Sequence, residues 1–162
     1  MAGNDWAGSD WNAERAAARI EALRDQPGAL LPILHALQEE FGYIDRAAVP
    51  LIAAALNLSR AEVHGVISFY HDFREHPPGT HVLKLCRAEA CQSMGADALG
   101  AKARERLRVG WGETSADGRV TLEPVFCLGL CACAPAAMID GKVVGGLNEK
   151  SLGVLLDKAV RS

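Results

Sequence analysis

From Trp11 to about Phe73 the apolar residues recur at helical spacing. "WNAERAAARIEALRDQ" is an Ala-rich amphipathic stretch halted by Pro27-Gly28. "ALLPILHALQEEFG" places Leu30, Ile33, Leu34, Leu37 and Phe41 on one stripe and stops at Gly42. "DRAAVPLIAAALNLS" reads as a third helix with Pro50 near its start, where a missing N–H is tolerated. A fourth opens with a capping box, Ser59 and Glu62, and is expected to run through "VHGVISFYHDF", with Phe69 and Tyr70 in the core.

Beyond "PPG" the period changes from helical to alternating. "HVLKLC" and "RVTLEPVF" read as strands, "SMGADALGAKARERL" as the helix between them, and "AAMID" with "KVVGGL" as a hairpin turned at Asp140-Gly141. "NEKSLGVLLDKAV" closes the chain as an amphipathic helix. The order β-α-β-β-β-α implies a mixed sheet whose first two strands are parallel through a right-handed crossover. The fold class expected is therefore α+β. A helical bundle over residues 1–75 precedes a thioredoxin-like α/β domain over residues 76–162.

Composition narrows the setting. Seventeen Lys and Arg against twenty Asp and Glu give a formal charge of −3, and no basic run is dense enough to track a phosphate backbone. Nucleic acid is not expected as a partner. With 49% hydrophobic residues spread along the chain, order is expected past the first dozen residues. The opening stretch is acidic where a secretory leader is basic, and no apolar run is long enough to span a bilayer. A cytoplasmic protein with reduced thiols is the expectation.

That setting bears on five cysteines, Cys86, Cys91, Cys127, Cys131 and Cys133, all in the second half. Their odd number argues against a disulfide framework. The pairs Cys86-x4-Cys91 and Cys127-x3-Cys131 lie just past the ends of the two parallel strands, where loops leaving one sheet edge can share a ligand. Zinc knuckles and thioredoxin redox sites use a tight Cys-x2-Cys turn, absent here. The looser spacing suits a two-iron cluster best, with zinc or redox thiols as alternatives. Met94 breaks the plant-type ferredoxin spacing, and no histidine follows His81 to serve a Rieske centre. Cys133 reads as a small buried residue packed near the cluster and Pro135 as a rigid turn.

No catalytic constellation is evident. His35, His64 and His71 lack a recognisable nucleophile and carboxylate around them, and "GWGETS" has Ser115 where a dinucleotide fingerprint needs its third glycine, so it reads as a turn. Backbone N–H groups near Gly129, and Arg87 if it points inward, are the expected counterweights to the negative charge of an all-thiolate cluster.

With "CLGLCACAPAAMI", "PGALLPILHALQEEFGYI" and "LSRAEVHGVISFYHDF", the cysteine spacing resembles the 24 kDa-type iron-sulfur subunit family of NADH dehydrogenases. Relatives occur in NAD-reducing hydrogenases and in NAD-dependent formate dehydrogenases, and "CRAEACQSMGA" with "CLGLCACAPAAM" is most similar to the formate dehydrogenase gamma subunits. The resemblance implies one 2Fe-2S cluster, with Cys86 and Cys91 on one iron and Cys127 and Cys131 on the other. It implies an electron carrier without a catalytic site of its own. Its partners would be a diaphorase-type subunit holding FMN and NAD and, through it, a molybdenum- or tungsten-containing formate dehydrogenase subunit.

Overall fold

The computed structural model describes residues 11–161. The acidic opening stretch, on which the reading of no leader peptide rests, lies outside the described residues. The chain divides into two compact units, one running to Pro77 and the other beginning at Pro78.

The first unit holds four helices: α1 (Ala13–Leu23), α2 (Leu30–Phe41), α3 (Ala48–Leu56) and α4 (Arg60–Phe69). Each boundary has a local cause. The Asn12 side chain accepts the Arg15 N–H at 2.9 Å to start α1, and Gly42, at φ 81°, ends α2 in the left-handed conformation that glycine adopts without penalty. Ser59 Oγ and Glu62 exchange hydrogen bonds across the first turn of α4, the capping box expected there. Ile33, Leu34, Leu37, Phe41, Ile44, Ile52, Val63 and Ile67 form the core, while Leu30 is only half-buried. Glu40 receives both Arg15 and Arg19 from α1, fastening α1 to α2.

Helix α4 ends at Phe69 rather than continuing to Phe73, and this overturns one expectation. It buries Val63 and Ile67, so Phe69, two positions on, points the other way and is 72% exposed; Tyr70, just past the helix in extended conformation, is 43% exposed. The two rings pack edge-on against each other at 5.1 Å instead of entering the core.

The second unit is a five-stranded mixed sheet in the order β2-β3-β1-β4-β5. Its strands are β1 (His81–Cys86), β2 (Glu113–Thr114), β3 (Val120–Val125), β4 (Ala137–Ile139) and β5 (Lys142–Val144). As the sequence implies, β1 and β3 run parallel, and β4 and β5 form a hairpin antiparallel to β1. Helices α6 (Ala96–Leu107) and α7 (Glu149–Arg161) place Leu99, Ala103, Leu107, Leu152 and Leu156 in one core with Leu83, Leu85, Val120 and Leu122 of the sheet.

Two elements depart from the sequence reading. "GWGETS" contributes the short edge strand β2 rather than a plain turn, pairing antiparallel with β3. The helix expected over residues 93–107 forms as α6, from Ala96 onward, but a short helix absent from that expectation, α5 (Glu89–Ser93), precedes it, the two parted at Gly95 with φ 89°. At the start of the unit, a Cβ on Gly79 would fall 2.8 Å from the Arg119 carbonyl carbon, so only glycine allows the chain to pass there.

Replacing Ser59 with alanine removes the cap of α4 and is expected to lower unfolding free energy by about 1 kcal/mol, measured by urea denaturation at unchanged m-value.

Candidate metal centre

Parallel pairing sets Cys86, the last residue of β1, opposite Val125, the last residue of β3. The loops that follow both strands therefore leave the same sheet edge. The first turns into α5, which carries Cys91; the second carries Cys127 and runs into a one-turn 3-10 helix, Cys131–Cys133. Cys86 and Cys91 are buried in a small apolar cluster with Ala96 and Ala136, flanked by Val125, Leu128 and Leu130, while Cys127 and Cys131 are exposed.

The thiols interact in pairs and across pairs. Cys127 Sγ lies 3.7 Å from Cys131 Sγ, and the Gly129 N–H donates to Cys127 Sγ at 3.4 Å. Burial pushes the Cys86 thiol up, but the N–H groups of Ala88, Cys127 and Leu128 and the Cys91 thiol donate to it and leave it below the ordinary cysteine value. Cys91 moves the other way: burial raises it, and so do the neighbouring Cys86 and Cys131 sulfurs, with only an Ala136 N–H opposing them. Cys131 is raised by its contact with Cys127, then by the charge on that sulfur. Sulfurs from all four positions thus sense one another at one edge.

To reach this arrangement Cys127 adopts φ 103°, a region that costs an L-residue roughly 1–3 kcal/mol. That backbone turn also presents the Cys127 N–H to Cys86.

The donor set fits a two-iron cluster. No group of three His, Cys, Asp or Glu side chains among the described residues is gathered tightly enough to hold a single ion, so the fit rests on pairs. Two thiolates on one tetrahedral metal, at metal–sulfur distances of ~2.3 Å, sit about 3.8 Å apart. The Cys127–Cys131 separation matches that span.

Residues 16–160 match the family described as thioredoxin-like [2Fe-2S] ferredoxin. The chain belongs to this family. Its cofactor is accordingly one 2Fe-2S cluster. The E subunit of the NADH-quinone oxidoreductase of Pseudomonas aeruginosa is 34% identical over 136 residues, spanning 84% of this chain and 82% of that one. The HndA subunit of the NADP-reducing hydrogenase of Solidesulfovibrio fructosivorans is 34% identical over 137 residues, 85% of this chain and 80% of its own. The NADH-quinone oxidoreductase E subunit of Mycobacterium tuberculosis H37Rv is 37% identical over 133 residues, but this chain spans only 53% of it. Among solved structures, an air-oxidised NAD+-reducing [NiFe]-hydrogenase chain aligns with a TM-score of 0.71 at 28% identity, over 87% of this chain and 24% of that one. No helix among the described residues is long and apolar enough to cross a membrane.

Two sequence expectations about this ferredoxin's site need revision. Cys133 is exposed rather than buried, because it ends the one-turn helix at the rim. Arg87 is not free to serve as a counter-charge: its guanidinium stacks over Trp111 at 5.2 Å and faces Asp97 at 3.4 Å, drawn to that aromatic face and that carboxylate. The peptide before Pro135 is cis, a feature with no clear signature in the sequence. The donors at Ala88, Leu128 and Ala136 also escaped the sequence reading. A backbone N–H has no side-chain signature, and the one hint is how small the residues around these cysteines are.

In the metal-free chain a thiol reagent such as dithionitrobenzoate is expected to react rapidly with Cys127, Cys131 and Cys133 and slowly with buried Cys86 and Cys91. The measurement is the two-phase time course, three thiols fast and two slow. Five thiols reacting in one phase would contradict the burial pattern.

Proposed function

We propose that this chain is the one-electron carrier of an NAD-dependent oxidoreductase complex, with Cys86 and Cys91 holding one iron of its cluster and Cys127 and Cys131 the other. The observation that supports this most is the meeting of four thiols from two loops at one sheet edge in a [2Fe-2S] family member. When bound, a 2Fe-2S cluster takes up and returns single electrons.

The protein's own residues make the site habitable for that charge. N–H donors at Ala88, Cys127 and Leu128 converge on Cys86, with Ala136 at Cys91 and Gly129 at Cys127, so each of these sulfurs has at least one fixed dipole. Such donors favour thiolate over thiol and added negative charge over its loss. Ala96, Ala136, Val125 and Leu128 keep water from the inner pair. Met94 and Phe126, 62% and 71% exposed beside the two cysteine loops, give the rim an apolar surface against which a partner can exclude water.

Hydride chemistry needs a second subunit. NADH surrenders two electrons together, and a flavin is the usual converter to single ones. The "GWGETS" segment, the nearest approach to a nucleotide loop, is spent on edge strand β2. We therefore place FMN and NAD on a diaphorase-type partner. The finer reading is the gamma subunit of a soluble formate dehydrogenase, supported by "CRAEACQSMGA" and "CLGLCACAPAAM". The relatives that are subunits of NADH-quinone oxidoreductase and of a hydrogenase make the equivalent subunit of such a complex the second reading.

Serine at Cys86, Cys91, Cys127 or Cys131 is expected to abolish or strongly perturb cluster absorbance, whereas Cys133→Ser retains it; hydroxyl oxygen replaces thiolate sulfur poorly on iron. Loss of iron in Cys133→Ser would overturn the ligand set.

The purified chain mixed with NADH is expected to stay oxidised, and a flavin-bearing partner to open the path. Rapid bleaching by NADH alone would show a nucleotide site on this chain.

A further inference from the structure

Between β5 and α7 the chain passes through Gly145 and Gly146. The Gly146 N–H donates to the Cys133 carbonyl at 2.5 Å, and the Leu147 N–H donates to the Pro135 carbonyl at 2.8 Å. Both bonds fasten this loop to the turn that carries Cys131. Gly146 has φ 64°, a conformational reason to be glycine. Gly145 has no positive φ, and its reason is space. A Cβ there would lie 2.8 Å from Cys133 Cβ and 3.1 Å from the Cys133 carbonyl oxygen. Neither atom sits at the end of a flexible side chain, so no rotamer change removes the clash and the backbone of the turn must shift.

We propose that Gly145 is a positioning residue for the cluster: its missing side chain lets the β5–α7 loop close directly on Cys133, and that contact fixes where the neighbouring turn holds Cys131. The inference rests on Cys131 being a ligand. It also gives Cys133 a task that uses its Cβ and carbonyl rather than its sulfur. Cys131 is exposed on a helix of a single turn, whose own backbone bonds are the Cys133 N–H to the Leu130 carbonyl and the Ala134 N–H to the Cys131 carbonyl. The backing loop supplies the stiffness that a longer helix would otherwise give, and it keeps Cys131 within 3.7 Å of Cys127.

The contact predicts a specific rescue. Gly145→Ala introduces a clash with the Cβ of residue 133, and Cys133→Gly removes that Cβ, whereas Cys133→Ser keeps it. The full-length variants are reconstituted anaerobically and compared by visible circular dichroism, by the electron paramagnetic resonance of the dithionite-reduced state, and by iron release to a chelator. Gly145→Ala is expected to retain its far-ultraviolet spectrum, to show an altered cluster spectrum and to release iron about tenfold faster, the change expected from a modest overpacking cost. Adding Cys133→Gly should return release to about the rate of Cys133→Gly alone; adding Cys133→Ser should not.

Wild-type behaviour of Gly145→Ala, or failure of Cys133→Gly to rescue it, would overturn the proposal. Should Gly145→Ala prove insoluble, the rescue must appear as a soluble, loaded double variant, and an insoluble double variant would likewise overturn it. Wild-type protein and Cys131→Ser run alongside keep the two claims separate. If Cys131→Ser binds its cluster unchanged, the ligand assignment fails. The contact with Cys133 is then still read from the thermal midpoints of the metal-free Gly145→Ala and Gly145→Ala/Cys133→Gly proteins.

Discussion

Parallel pairing of His81–Cys86 with Val120–Val125 decides where the cysteines can meet. Because the two strands run the same way in register, both loops leave the sheet at one edge, and cysteine pairs separated by 35 residues in sequence become neighbours. An antiparallel pairing would send the second pair of thiols to the opposite end. A parallel pair needs a crossover, and α5 with α6 supplies it, so Cys91 comes from the first turns of the connection that the topology already demands. Leu83, Leu85, Val120 and Leu122 secure the pairing by packing against α6 and α7, which means that a large part of the second unit's core also serves the geometry of the site.

Electrostatics completes what topology begins. Four thiolates near one another repel, and that repulsion adds to the burial that raises Cys91 and to the Cys127 hydrogen bond that raises Cys131. The lowered Cys86 shows the remedy, a sulfur surrounded by N–H donors whose orientation is fixed by loop backbone. Using backbone donors leaves the nearby side chains small and apolar, as at Ala88, Ala96, Ala134 and Ala136. It also accounts for an arginine next to Cys86 that turns its charge toward Trp111 and Asp97.

Much of this was legible in the residues. The helical stripe from Ile33 to Phe41, the Ser59–Glu62 box, the strand at "HVLKLC" and the Asp140-Gly141 turn each carry a local physical signature, and each forms as read. Cysteine spacing placed both pairs at one edge of the sheet, where the structure brings them together, because chain direction fixes which ends coincide. What was not legible depends on tertiary space. A two-residue edge strand has too few positions for alternation to show, and Phe69 looks like a core residue until the end of α4 turns it outward. Gly145 is another example: a glycine needed for closeness to Cys133, with an ordinary φ, looks like any other loop glycine.

The account stands or falls on a binuclear cluster held by two pairs of thiols at this edge. Its most direct measurement is the iron, zinc and acid-labile sulfide content of the anaerobically purified wild-type chain. The prediction is two irons and two sulfides per chain with negligible zinc. One zinc per chain without sulfide, in colourless protein, would contradict it.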